Sequence, residues 1–200
     1  VGAAISALAG AATGAGTIDV AGAFQSVYAP SDVNAWTGWL FGAVFAIAAA
    51  NIVSGAVAGR CRPRMYVLYM VLVSAVVYPV AAGLVWDGGL LAQLGFQDFA
   101  GGMVIHGLGG LSGLTAAWVL GPRADRYDAD GGVNVVPGHS ITLAVLGTLI
   151  LCFGWYGFNV GTAVTVFAID NGQVTLGAFQ TVGRVAITTT LGMVVGGVGA

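Results

Sequence analysis

Four stretches of the chain, Val33 to Gly59, Met65 to Trp86, Phe99 to Leu120 and Ile141 to Ile169, are long, apolar and free of Asp, Glu, Lys and Arg. A fifth, Val174 to Ala200, is apolar apart from Arg184. About 20 such residues in a helix cross the roughly 30 Å of hydrocarbon in a bilayer. Hydrocarbon offers no water to the backbone, so each stretch must pair its own N–H and C=O groups, as a helix does. The runs are continuous and do not alternate with period two, which disfavours a barrel. The fold class expected is therefore all-α, a polytopic membrane helix bundle, multi-pass in the cell membrane. Composition agrees. Charged residues make up 7% of the 200, against about one quarter in soluble domains. A soluble enzyme, a disordered chain and a nucleic-acid binder, which needs a basic surface, are excluded. The 34 glycines show no three-residue period and read as close helix packing instead.

Orientation follows from the arginines. Arg60, Arg62 and Arg64 share one connection, and Arg123 and Arg126 another. The connections between them hold Asp19, Asp32, Asp87 and Asp170 and no arginine. Under the positive-inside rule, residues 59–64 and 121–138 face the cytoplasm, and residues 13–33, 87–98 and 166–173 face outward. The chain starts at Val1 and ends inside an apolar run, and residues 1–12 read as the tail of a further helix; a piece of a longer protein is expected. Cys61 lies among arginines and Cys152 in an apolar run, so no bridge is expected, and no cluster has metal-ligand spacing. Neither a metal nor a cofactor is implied.

Two residues on the third stretch carry chemistry. Asp98 directly precedes it and can cap its first N–H groups, with its charge on the positive end of the helix dipole. His106 stands eight residues further on, about 12 Å deeper by helical rise and close to mid-membrane. An ionisable group at that depth marks a functional site by default. By position alone the alternative stays open, a neutral histidine bonded to a neighbouring helix. Gly101, Gly102, Gly107, Gly109, Gly110 and Gly113 strip this helix of bulk, for close contact or for a narrow lumen beside the imidazole.

The run Asp98-Phe99-Ala100-Gly101-Gly102-Met103-Val104-Ile105-His106 resembles the D-F-A-G-G-x-V-x-H signature of the ammonium transporter (Amt/MEP/Rh) family. Gly154-Trp155-Tyr156-Gly157-Phe158-Asn159-Val160-Gly161-Thr162-Ala163 resembles that family's G-W-F/Y-G-F-N-x-G-S-A. Trp86, followed by Gly88-Gly89-Leu90-Leu91-Ala92, stands twelve residues before Asp98, as in the family. The resemblance covers residues 35 to 165 well and the ends poorly.

The resemblance implies an eleven-helix fold assembled as a homotrimer with one pore per subunit, of which residues 1–200 would be a partial transmembrane domain running from the end of the second helix to the seventh. It implies an ammonium/ammonia transporter and not an enzyme. Trp86 and Phe45 would wall an outer cation site, with Thr162 where the family has a hydrogen-bonding serine. Phe45 and Phe158 would be the halves of a phenyl gate. His106 would be the first of two pore histidines. Asp98, Asn159 and Trp155 would support the site without touching substrate. A PII-type regulatory protein on the cytoplasmic face would be a partner. The alternative is an ammonium-sensing receptor built on the same bundle, told apart by a signalling domain after the last helix. A Rh-like gas channel is disfavoured by the Trp86 and Phe45 pair.

Physics fits the transporter reading. Aromatic faces attract a cation by about 0.5–2 kcal/mol each when partly desolvated. Moving an intact charge to mid-membrane costs several kcal/mol. Leaving the proton behind and passing neutral ammonia is cheaper, and imidazole offers a donor and an acceptor nitrogen for it. Trp36, Trp39 and Tyr78 read as interface aromatics, and His139, after Pro137-Gly138, as a structural cytoplasmic residue. Three departures from the family pattern stand out. Thr162 replaces serine, Gly59 stands where glutamate is common, and Arg184 falls where the seventh helix carries small residues, about ten residues into its span. Either that helix starts later and Arg184 nears the outer surface, or the guanidinium pairs inside the bundle.

Overall fold

A computed structural model describes residues 33–86, 88–163, 167–170, 173–176 and 179–200. The helical tail expected over residues 1–12 lies outside them, as do Asp19, Asp32 and Asp87 of the outward connections. Among the described residues, five helices are long and apolar enough to cross a membrane. The chain is a multi-pass membrane protein. It divides into two compact units, Val1–Val135 and Val136–Ala200.

The first unit opens with α1, Val33–Val57. The second span is composite: α2, Pro63–Leu72, runs through a π turn, Val73–Val77, into α3, Tyr78–Val85. Proline at the head of α2 suits a position whose N–H has no intrahelical partner. A short helix, α4 (Leu90–Gln93), follows in the outward connection. The third span starts with a second π turn, Gly102–Gly107, and continues as α5, Leu108–Leu120. Two arginines of the connections that the positive-inside rule predicts to be cytoplasmic close helix ends. The Arg60 guanidinium donates to the carbonyl of Gly121, which caps α5, and Arg123 Nη2 donates to the Gly55 carbonyl in the last turn of α1 at 3.4 Å. Cations there complement the negative end of the helix dipole.

The centre of this unit is the contact of α1 with α5 and the second π turn. Ala49, Ala50, Val53, Val104 and Ile105 are almost wholly enclosed. Glycine makes the approach possible. A Cβ on Gly109 would lie 2.8 Å from Ile52 Cβ and 2.9 Å from the Ala49 carbonyl oxygen. Small residues give membrane helices their close contacts in the absence of a hydrophobic drive between them. Replacing Gly109 with Ala gains about 1 kcal/mol of helix propensity and meets an overpacking cost of about 1–3 kcal/mol. The Ala49 backbone cannot swing aside, so the cost wins. Gly109→Ala should lower the thermal midpoint of the full-length protein in detergent, read by static light scattering. Tyr78 belongs to the same interior. It is 7% exposed and so is a packed residue, not the interface aromatic its type suggested. Trp36 and Trp39 are exposed, as expected.

The second unit holds α6, Ile141–Thr162, capped by the Ser140 hydroxyl, which accepts from the Leu143 N–H. Strands β1 (Phe167–Asp170) and β2 (Gln173–Leu176) then form an antiparallel hairpin, and α7 covers Phe179–Gly199. Two expected boundaries move. The fourth apolar stretch does not run helically to Ile169, because Phe167–Ile169 lie in β1. At about 1.5 Å per residue the 22 residues of α6 already exceed the bilayer core. The fifth stretch does not begin at Val174, which lies in β2. Arg184 is thereby the sixth residue of α7 and exposed. It sits about 8 Å from the helix start and not at mid-span, so the later-starting helix is the option the structure takes. α6 and α7 are joined by polar contacts: the Tyr156 and Thr190 hydroxyls are 2.7 Å apart, and Asn159 Nδ2 donates to the hydroxyl of buried Thr189 at 3.0 Å.

Candidate functional site

Phe45 sits on α1 and is 5% exposed. Trp86 ends α3 in extended backbone. Their ring centroids lie 6.1 Å apart at 51°, so two spans bring these aromatic faces together. Phe41, one helical turn before Phe45, extends the wall, with its ring 4.4 Å from that of Phe45. Sequence reasoning passed over Phe41. The i, i+4 spacing of two phenylalanines on one helix was the signal available.

The indole N–H of Trp86 donates to the Asp98 carbonyl at 2.6 Å. This fixes the ring across the turn that leads into the third span. Asp98 does more than a single N-cap. The helical span begins at Gly102, so Asp98 stands in the preceding turn and reaches forward. Its Oδ1 accepts the N–H groups of Gly101 and Gly102 at 2.7 and 2.9 Å. Its Oδ2 accepts those of Met103 and Val104 at 2.8 and 2.9 Å. One carboxylate thus satisfies four donors that a helix start leaves open. The chain needs this because Gly101 turns into the left-handed region, φ 91°, and carries the backbone away from a plain cap.

His106 lies in the second π turn, half-buried, with its Nε2 closed off from the surface. The helix starts at Gly102 and not at Asp98, so the imidazole stands about 6 Å along it. That is nearer the first quarter of the span Gly102–Leu120 than its middle. Its backbone N–H donates to the Gly101 carbonyl at 3.0 Å, and the Ile105 N–H donates to the same oxygen at 2.9 Å. One turn, Asp98 to Gly101, therefore holds Trp86 through one carbonyl and the backbone of His106 through another.

The remaining expected site residues lie in the second unit. Trp155 and Phe158 stack on each other at 5.6 Å and 27°. Asn159 ties α6 to Thr189, a packing contact of the kind its position suggested. The Thr162 hydroxyl donates to the Phe158 carbonyl at 2.9 Å. Its proton is committed to the helix, so its oxygen presents lone pairs and would accept from an N–H donor. His139 is exposed in the connection before α6.

The sequence profile of the Ammonium Transporter Family matches residues 3–200. The chain belongs to that family. Its members include the Ammonium transporter Amt2 of Haloferax mediterranei, 61% identical over 202 residues that cover all of this chain and 44% of that protein. The Ammonium transporter Amt1 of the same organism is 49% identical over 211 residues, covering all of this chain and 40% of that protein. The Ammonium transporter Amt1 of Methanocaldococcus jannaschii is 47% identical over 135 residues, 66% of this chain and 34% of that protein. The chain thus spans less than half the length of these curated relatives. The names of these relatives are those of ammonium transporters.

Proposed function

We propose that the chain is part of a transporter that recruits ammonium at an aromatic mouth, removes a proton and conducts ammonia past His106. The observation that carries this reading is the pairing of Phe45 with Trp86, ring to ring, with the indole anchored on the turn that also holds the His106 backbone. Two aromatic faces supply cation–π attraction without a fixed negative charge, so the bound cation can leave. The Thr162 oxygen, free to accept, would add a directed N–H contact that potassium cannot make. Phe158 would form the second half of a phenyl gate with Phe45. The imidazole would order the neutral species or relay the proton through its two nitrogens. A homotrimer in the cell membrane, regulated by a PII-type protein at the cytoplasmic face, is the assembly we propose, following the family resemblance.

The test is ammonium-evoked flux in proteoliposomes holding the full-length protein. Trp86→Leu removes one cation–π wall of about 0.5–2 kcal/mol. The half-saturating ammonium concentration should rise about 2- to 30-fold. A half-saturation unchanged from wild type would remove Trp86 from the recruitment site.

A further inference from the structure

We propose that Gly101 is a positioning residue for His106: its carbonyl, set by a left-handed backbone that glycine alone holds here, fixes the register of the π turn carrying the imidazole. The proposal rests on the reading of His106 as the pore histidine. The Gly101 oxygen accepts from Ile105, the ordinary helical partner four residues on, and from His106, the π partner five residues on. The turn is therefore held between two registers by one atom. Each residue of a helix turns about 100°, so moving this carbonyl wholly onto either partner would rotate Gly101 and the turn before it against His106 by a large step. π turns inside helices recur where a side chain must be re-aimed.

What fixes the carbonyl is steric. Gly101 has φ 91° and ψ 24°, where other residues are strained. A Cβ there would lie 2.3 Å from Ile105 Cδ1 and 2.7 Å from Ile105 Cγ1. Ile105 is fully buried, with 0% exposure, and has no room to retreat. A side chain at position 101 must therefore displace the peptide that binds the His106 N–H. Asp98 holds the same peptide from its other side, through the Gly102 N–H at 2.9 Å. The neighbouring Gly102 differs. Nothing lies within 4 Å of a Cβ placed on it, so the constraint belongs to position 101 and not to the glycine pair.

The test uses the full-length protein with 15N-labelled histidine, with ammonium flux measured in proteoliposomes and ring resonances recorded on the same sample. The His106 signals are assigned by their loss in His106→Ala. Gly101→Ala should lower maximal flux at least tenfold and shift the His106 ring resonances, with the half-saturating concentration within threefold of wild type. Gly101→Ala/Ile105→Ala removes the two closest atoms but keeps alanine at φ 91°, strained whatever the space, so it should recover part of the lost flux and move the His106 resonances back toward their Ile105→Ala positions. Wild-type flux in Gly101→Ala, or lost flux with unmoved His106 resonances, overturns the proposal. Should Gly101→Ala fail to assemble, the double variant decides on the same two readouts, and flux below Ile105→Ala with His106 resonances at their Ile105→Ala positions overturns it. Wild-type flux in His106→Ala would instead sink the pore reading, while the resonances would still report whether Gly101 places the ring.

Discussion

Asp98→Ala should unfold the start of the third span and abolish ammonium flux in the full-length protein. The carboxylate accepts four backbone N–H groups, two on each oxygen. A hydrogen bond to a charged group contributes about 1.5–3 kcal/mol, and a buried donor left alone costs about 1–3 kcal/mol. These terms share one side chain and do not add fully. Asp98 is half-buried, so water can replace part of the loss. A destabilisation of about 3–5 kcal/mol is the expected outcome. Asp98→Asn tests the charge separately. An amide keeps one acceptor oxygen and turns an N–H₂ toward two of the four donors. It should behave closer to Ala than to Asp. Thermal unfolding in detergent and maximal flux read both variants. An Asn variant with wild-type midpoint would show that the four contacts work by shape and not by charge.

The spans were legible because hydrocarbon leaves so few choices. A charge-free run of 22 to 29 residues with an arginine-bearing connection at one end and an arginine-free one at the other has one sensible placement. The Asp98 cap was legible too, as residue type and location, but its reach over four N–H groups was not. That reach goes with Gly101 entering the left-handed region, where Ile105 leaves no room for a Cβ, and a sequence does not display such contacts. The Phe45 and Trp86 pair came from family spacing, since cation sites and interface belts use the same residue types. Tyr78 shows the other side of that ambiguity, because its residue type suits an interface and its surroundings are interior. The hairpin was missed although its signal is printed in the chain. Asn171-Gly172 between β-rich segments is a strong hairpin dipeptide, and β1 and β2 pair so that Asp170 faces Gln173 on either side of it. The continuous apolarity of residues 141–169 outweighed it. With the hairpin in place α7 starts at Phe179, and the apparent problem of an arginine at mid-membrane dissolves.

His106→Ala should separate conduction from recruitment. On the proposed mechanism, Phe45 and Trp86 bind the cation before it meets the histidine, and the Trp86 ring is tied to the Asp98 carbonyl and packed on Phe45 of α1. Removing the imidazole leaves them in place. The half-saturating concentration should stay within a few-fold of wild type. The imidazole matters at the later step, where the choice is between carrying an intact charge into hydrocarbon and shedding a proton. Removing the group that orders ammonia or relays the proton should lower maximal electrogenic flux by about two to four decades, the range of a positioned proton-transfer group. The measurement is ammonium-evoked current in proteoliposomes of the full-length protein, with methylammonium and potassium as competing cations. A selective current of undiminished size would end the histidine's role. A current that survives but admits potassium would place His106 in selectivity, because a wider, wetter path would then carry the intact ion instead of neutral ammonia.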